Sequence, residues 1–162
     1  MDMGLQDKVA IITGGSYGIG KAAAMSMAEE GARVVIVARR PEVLEEAAQD
    51  IRTATESSVL PVTGDVSAHD TAGLVVKTTL DHFGRIDILV NNAGVSMAKP
   101  LEEVSDEDWN ADFELKVWGA VRLIRSVVPE MRKVGGGRII NVTNLGGRTP
   151  GAASMPTSIS RA

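Results

Sequence analysis

The sequence lacks cysteine and has few histidines. None of its 162 residues is cysteine, so disulfides and thiolate metal ligands are excluded. The absence fits a reducing compartment, and we expect a cytoplasmic location and no metal site. There are two histidines, His69 and His82, and we expect both at the surface.

Long apolar runs and an excess of basic charge are missing as well. No run approaches the roughly 20 apolar residues that a membrane-spanning helix needs. The N-terminal stretch lacks the apolar core of a signal peptide. The formal net charge is −4, whereas nucleic-acid binding normally requires a basic surface. We therefore expect neither a membrane nor a nucleic acid as a partner. With 44% hydrophobic residues and no low-complexity linker, residues 1–162 are predicted to form one globular domain.

Five short apolar runs are present, with helical patterns between them. The runs are Val9–Ile12, Val34–Val37, Val59–Val62, Ile86–Val90 and Ile139–Val142. Strands that alternate with helices favour a parallel sheet with right-handed crossovers, so we predict an α/β fold. Two serine-led boxes, at 67–70 and 105–108, predict helix starts with Ser67 and Ser105 as N-caps.

A glycine-rich turn follows the first strand and precedes a helical pattern. Glycine occupies positions 14, 15, 18 and 20. This arrangement binds pyrophosphate, because unpaired N–H groups and the helix dipole face the anion and a Cβ would block its approach. A glycine turn without a ligand is the alternative. The match to Gly-x-Gly-x-x-Gly/Ala at 18–23 lies too far from the strand to be that fingerprint, whose first glycine directly follows its strand.

The pattern Thr13-Gly14-x-x-x-Gly18-x-Gly20 resembles the glycine turn of the short-chain dehydrogenase/reductase family. Asn91-Asn92-Ala93-Gly94, after the fourth strand, is similar to that family's Asn-Asn-Ala-Gly signature. The resemblance covers essentially the whole chain. It implies a doubly wound, mainly parallel Rossmann sheet in the order 3-2-1-4-5. It also implies hydride transfer between a nicotinamide cofactor and a small-molecule carbonyl or alcohol.

Two expectations about size and assembly follow from the same resemblance. Family members usually continue with two more strands, a substrate loop and further helices, so we expect the domain to be incomplete at its C-terminus. Members commonly associate through two long helices, which implies a homo-oligomer, a dimer or a tetramer, for the full-length protein.

The resemblance also implies a set of cofactor contacts. Asp65 is implied to contact the adenine ring, with help from the backbone of Val66, and capping of the next helix is an alternative role for Asp65. The implied contacts are Gly14, Ser16, Tyr17, Gly18, Ile19 and Gly20 in the turn, Asp65 and Val66 after the third strand, and Asn92, Ala93 and Gly94 after the fourth.

Arg39 and Arg40 directly follow the second strand, where a dinucleotide fold meets the adenosine ribose. An acidic residue there binds a free 2′-hydroxyl, whereas arginine accommodates a 2′-phosphate. Ala38 stands where NAD-preferring relatives carry aspartate. We therefore predict NADP rather than NAD as the cofactor. A pair of solvated arginines at a helix start is the alternative.

The family's catalytic group differs from this sequence at every position. Members carry a Tyr-x-x-x-Lys pair, a serine thirteen residues before the tyrosine, and an asparagine in the long helix. Alignment of residues 156–162 with the form Pro-Tyr-Ser-Ala-Ser-Lys-Ala places Thr157 at the tyrosine and Arg161 at the lysine. Counting thirteen residues back from Thr157 places Asn144 at the serine. The family's spacing from a tryptophan to the asparagine, counted from Trp109, places Lys116 at the asparagine.

These replacements leave three functions open. Threonine is a much weaker acid than tyrosine, and arginine keeps its charge but does not release its proton. Asn144 can still donate to a carbonyl, and a buried Lys116 can have a usable pKa. The protein is an NADP-dependent oxidoreductase with a non-standard active site, a non-catalytic NADP-binding module, or a structural subunit of a mixed oligomer.

Overall fold

The structure is a computed structural model that describes residues 3–149 and 155–162. Five parallel strands form one sheet in the order β3-β2-β1-β4-β5, which confirms the predicted topology. The strands are β1 Val9–Thr13, β2 Arg33–Ala38, β3 Val59–Thr63, β4 Ile88–Asn91 and β5 Arg138–Asn141.

Helices follow the strands and cover both faces of the sheet. A π-helical segment, Glu114–Trp118, joins two of them into one long helix, and 3₁₀ turns span Leu101–Glu103 and Leu145–Gly147. The helices are α1 Gly18–Glu29, α2 Pro41–Thr55, α3 Thr71–Phe83, α4 Asp106–Phe113, α5 Gly119–Lys133 and α6 Met155–Ser160. Within the described ranges, no helix is both long enough and apolar enough to cross a bilayer.

The core consists of two hydrophobic clusters, one on each face of the sheet. On one face, α2 contributes Leu44 and Ile51, which pack with α1 residues against the strands. On the other face, α3 contributes Val75 and α5 contributes Leu123. Residues of β1 alternate between the two clusters, as the two-residue period of a strand requires. Each of these fully buried aliphatic side chains contributes about 1.5–3 kcal/mol to folding.

The long helix begins as predicted, at a capping box. Ser105 Oγ accepts a hydrogen bond from the Asp108 N–H at 3.1 Å, and the Asp108 carboxylate accepts one from the Ser105 N–H at 3.2 Å. Two otherwise unpaired N–H groups of the first turn are thereby satisfied.

The prediction that Ser67 caps a helix is wrong. The helix α3 begins at Thr71, and Ser67 lies in the preceding turn. There its N–H and Oγ both donate to Asp65 Oδ1, at 2.9 and 2.6 Å. A hydrogen bond from the Ser67 hydroxyl to an ionised carboxylate is stronger than a capping bond between that hydroxyl and a neutral helix N–H. Ser67 therefore bonds to Asp65, two residues away, and forms a turn instead of a cap. His69 consequently precedes α3, and both it and His82 are exposed, as expected.

Candidate functional site

The carboxyl ends of the strands open on a cleft of about 620 Å³. Parallel sheets with helices on both faces bind ligands at this edge, outside the strand ends. The structure brings most of the predicted site residues to this cleft. They are Gly14, Ser16, Tyr17, Gly18, Ile19, Arg39, Arg40, Asp65, Val66, Asn92, Ala93, Gly94, Lys116, Asn144, Thr157 and Arg161.

The glycine turn presents the N-terminus of α1 to the cleft. Tyr17 is the N-cap residue, yet its side chain makes no capping hydrogen bond, and the first turn of α1 contains no acidic residue. Gly18 has a φ of +58° and open space where a Cβ would point. Helix N–H groups that no side chain caps, next to open space, form a site suited to an anionic group.

Gly20 lies beneath the turn instead of lining the cleft. A Cβ at this position would collide with the carbonyl of Gly14 and lie 2.6 Å from Asn92 Nδ2. Glycine therefore allows the start of α1 to pack against the turn. The Asn92 amide donates to Thr13 O at 3.0 Å, and Thr13 Oγ1 accepts from the N–H groups of Asn92 and Ala93, each at 3.0 Å. These bonds join the end of β1 to the end of β4 and hold the turn in place.

On the β2–β3 side of the cleft, two arginines lie near a carboxylate. Arg39 and Arg40 are exposed at the end of β2. Burial raises the pKa of Asp65, but hydrogen bonds from Ser67 and the charge of Arg39 outweigh burial, and the pKa lies below its ordinary value. Asp65 is therefore ionised at neutral pH. Its carboxylate caps the turn before α3 and not the helix itself.

On the β4–β5 side, a buried network surrounds the π-helical segment. Lys116, whose side chain is 1% exposed, donates to Asp112 Oδ1 at 2.5 Å and to Thr157 Oγ1 at 2.7 Å. Asp112 Oδ2 accepts from Ser160 Oγ at 2.5 Å, and Thr157 Oγ1 also accepts from the Met97 N–H at 3.1 Å. One ion pair and two hydroxyls thus link the long helix to α6 at the wall of the cleft.

The ammonium of Lys116 is more acidic than that of a surface lysine. Burial lowers the pKa of Lys116, and the nearby positive charge of Arg161 lowers it further. The hydrogen bond and negative charge of Asp112 oppose these effects without cancelling them. A buried amine with a depressed pKa at the wall of a cleft is a candidate for proton transfer.

Arg161 ties α6 to the ends of β4 and β5. Its guanidinium donates to the carbonyls of Val142, Asn92 and Ala93, the last at 2.9 Å. Burial lowers the pKa of Arg161, although the charge of Asp112 opposes the shift. Gly94 allows this approach, since a Cβ there would overlap the guanidinium.

Asn144 lies beside this network but outside its hydrogen bonds. It is exposed at the N-cap position of the 3₁₀ turn after β5, and its side chain does not cap that turn. No hydrogen bond to another described residue uses its amide, so within the part of the chain that the structure describes this amide can bind a ligand in the cleft.

Sequence reasoning missed Asp112 and Ser160, which complete the network. The spacing of Asp112 and Lys116, four residues apart in a helix, is the available signal for the ion pair. Nothing local indicates Ser160, because its bond to Asp112 spans 48 residues of sequence. In the described residues, no three His, Asp or Glu side chains are grouped closely enough to hold a metal ion.

The comparison with protein families agrees with this geometry. The profile of the family described as short chain dehydrogenase matches residues 8–160. This chain belongs to the short-chain dehydrogenase/reductase family.

Known relatives and solved structures extend the family assignment. An uncharacterised oxidoreductase of Bacillus subtilis (strain 168) is 36% identical over 161 residues, which is 99% of this chain and 60% of the relative. The crystal structure of L-sorbose reductase from Gluconobacter frateurii, complexed with NADPH and L-sorbose, is 42% identical with a TM-score of 0.97, over 99% of this chain and 61% of that one. A xylitol dehydrogenase bound to NAD⁺ is 26% identical with a TM-score of 0.92, over 97% of this chain and 60% of that one. The chain thus spans about 60% of the length of these relatives.

Proposed function

We propose that this family member is an NADP(H)-dependent oxidoreductase that interconverts a small carbonyl compound and its alcohol. The observation that carries the proposal is the cleft at the carboxyl ends of the strands, which has an uncapped helix N-terminus, a pair of arginines and a buried proton-bearing network along its walls. When bound, the nicotinamide supplies or accepts the hydride.

The walls of the cleft fit such a cofactor. The turn at Gly14 and Gly18 would hold the pyrophosphate through backbone N–H groups. Asp65 and the backbone of Val66 would lie against the adenine. Ser16, Tyr17 and Ile19 would flank the phosphates, and Asn92, Ala93 and Gly94 would support the nicotinamide end.

The preference for NADP over NAD depends on the end of β2. Arg39 and Arg40 are exposed on the cleft, and Ala38 leaves no carboxylate from β2 to bind a free 2′-hydroxyl. The similarity to an NADPH-bound L-sorbose reductase supports the preference, and the more distant xylitol dehydrogenase was solved with NAD⁺.

Cofactor titration tests this preference directly. We expect NADPH to bind the chain more tightly than NADH when binding is followed by calorimetry. Arg39→Ala should weaken NADPH binding by about 1–3 kcal/mol, the range for a lost charge-assisted hydrogen bond, and leave NADH binding nearly unchanged. Arg132→Ala, an exposed arginine in the last turn of α5, is the matched control and should change neither affinity. Tighter binding of NADH by the parent chain would contradict the proposal.

Turnover separates the enzyme from the two non-catalytic alternatives. L-Sorbose is the first substrate to test, because a similar protein was solved with it, and 2,3-butanedione is a generic second substrate. Oxidation of NADPH with either compound supports the oxidoreductase. Binding of NADPH without oxidation favours the non-catalytic module, and co-purification of an active family member selects the structural subunit.

A further inference from the structure

The hydroxyl of Thr157 has an unusual set of partners for a threonine in a helix. Its oxygen accepts from Lys116 Nζ at 2.7 Å and from the Met97 N–H at 3.1 Å. A hydroxyl has two lone pairs and one hydrogen, so both lone pairs are occupied and only the hydrogen remains to be donated. Among the described residues no hydrogen bond uses that hydrogen, and Thr157 lines the cleft.

We propose that Thr157 donates the proton to the substrate oxygen and that Lys116, bonded to the other side of the same hydroxyl, supplies its replacement. The inference rests on the proposed function. It names the donor for protonation of the substrate oxygen, the step that the family's tyrosine performs and for which this chain has threonine at the same position. Thr157 is then the catalytic residue. Lys116 acts through it, and Asp112 positions Lys116.

The contact with Lys116 compensates for the weak acidity of the threonine hydroxyl. An aliphatic hydroxyl loses its proton with difficulty, because an isolated alkoxide is a strong base. Here the lost proton is replaced across a 2.7 Å contact from an ammonium, so that no free alkoxide accumulates. Arg161 cannot serve as the source, since a guanidinium does not release its proton.

Each proton and electron pair in the step is accounted for. The carbonyl carbon gains a hydride, the π electron pair moves to the oxygen, and this oxygen takes the proton of Thr157. The Thr157 oxygen takes a proton from Lys116, which becomes a neutral amine next to the Asp112 carboxylate, and solvent later restores the ammonium. The hydride and its two electrons come from the dihydronicotinamide of the proposed function.

The charges around Lys116 suit a group that must give up and regain a proton. Asp112 lies one helical turn earlier and Arg161 follows α6, and these are the charged groups that act on Lys116. Glu114, in the same π-helical segment, instead accepts from Arg122 at 2.7 Å. Asp112 therefore holds the ammonium in place, while burial and Arg161 favour its deprotonation.

Titration of the lysine side chains by NMR tests the proton source without any cofactor. The chain has six lysines, and their Cε resonances can be followed against pH, with Lys116 assigned from its loss in Lys116→Met. Lys133→Met, on an exposed lysine, is the matched control for assignment. We expect Lys116 to titrate at a lower pH than the other lysines and at a still lower pH in Asp112→Asn. A Lys116 midpoint equal to that of the exposed lysines would overturn the proposal.

Kinetics test the transfer itself, with NADPH and 2,3-butanedione as substrates. Thr157→Val keeps the shape but not the hydroxyl, and kcat should fall by about 10²–10⁴ with an unchanged Kd for NADPH. Thr157→Ser should lose less. Lys116→Arg keeps the charge but cannot release a proton, so it should be as slow as Lys116→Met. A parental rate in Lys116→Arg would reduce Lys116 to an electrostatic role and overturn the proposal.

Two further measurements keep these outcomes separable from misfolding and from failure of the proposed function. Lys116→Met leaves Asp112 buried without its cation, so the double variant Asp112→Asn/Lys116→Met, which removes both charges, is measured beside it. In the parent, kcat should fall as pH rises through the pKa of Lys116, and in Asp112→Asn it should fall at lower pH.

Absence of NADPH oxidation by the parent would overturn the proposed function together with this transfer. Equal rates in the parent, Thr157→Val and the double variant would overturn only the proton donor.

Discussion

Among single residues, Asp87 has a buried carboxylate that joins the amino ends of two strands, at the end of the sheet opposite the cleft. It accepts from Arg85 Nε at 2.8 Å, from Arg85 Nη2 at 2.6 Å and from the N–H of Val9 at 3.0 Å. Burial raises the pKa of Asp87, but these bonds and the charges of Arg85 and Lys8 outweigh burial, and the pKa lies below its ordinary value. The carboxylate thereby joins the start of β1 to the segment before β4.

Asp87→Asn should lower the free energy of unfolding at pH 7 by about 1.5–3 kcal/mol, the range for hydrogen bonds to a charged group. Because the folded pKa is depressed, this stabilisation is complete above the unfolded value near 3.9 and is lost as pH falls through the folded pKa. The difference between parent and variant, measured by urea unfolding, should therefore shrink below about pH 4. Asp81→Asn, in an exposed pair with Lys77, is the matched control and should cost less than about 1 kcal/mol. A pH-independent difference would contradict the assignment.

At the scale of elements, the long helix is the part that shapes the β4–β5 side of the cleft. It begins at the Ser105 capping box, passes through the π-helical segment and continues as α5. Gly119, the first residue of α5, directly follows the π-helical segment and lies close to the carbonyl of Val66, where a Cβ would be only 2.8 Å from the oxygen. Single π-helical turns inside α-helices are frequent at functional sites, and here the turn carries Lys116 into the buried network.

Ser105→Ala should lower the free energy of unfolding by about 1 kcal/mol, because it leaves a first-turn N–H of α4 without its acceptor. Ser26→Ala, at an exposed position within α1, is the matched control and should not destabilise the chain, since alanine has the higher helix propensity. Thermal or urea unfolding of both variants provides the measurement. Equal effects of the two substitutions would show that the cap contributes nothing.

For the whole molecule, the two edges of the sheet differ in their protection. The edge strand β3 contains Pro61, which has no N–H to offer a further strand. The other edge strand, β5, pairs with β4 on one side, and Ile139 and Ile140 are 37% and 45% exposed. An edge with apolar side chains and no proline favours pairing with another chain.

The 162-residue chain should therefore self-associate through β5 as its concentration rises, as measured by sedimentation velocity. Ile140→Lys places a charge on this edge and should shift the chain toward the monomer. The control is Leu74→Lys, in which the replaced leucine of α3 is 49% exposed. This substitution should leave association unchanged. A parent chain that is monomeric at every concentration would contradict this prediction.

Local patterns were sufficient to predict the strands, the glycine turn and the helix start at Ser105. Each depends on residues only a few positions apart, because the two-residue period of a strand and the geometry of a helix cap both involve residues that are near one another in the sequence. Strand order required more than periodicity: it came from the resemblance of the turn and of Asn91–Gly94 to a known family. The same motifs, with the alignment of 156–162, selected the residues that surround the cleft.

Only the tertiary structure decided how those residues contact one another. A pattern based on 3.6 residues per turn does not reveal a π-helical turn, and the local competition for Ser67 was settled by the carboxylate of Asp65. The bond between Lys116 and Thr157 spans 41 residues of sequence, and that between Ser160 and Asp112 spans 48. Burial of these groups depends on how α6 packs on the long helix. It lowers the pKa of Lys116 and places Lys116 and Thr157, two of the four replaced residues, within hydrogen-bond distance of each other.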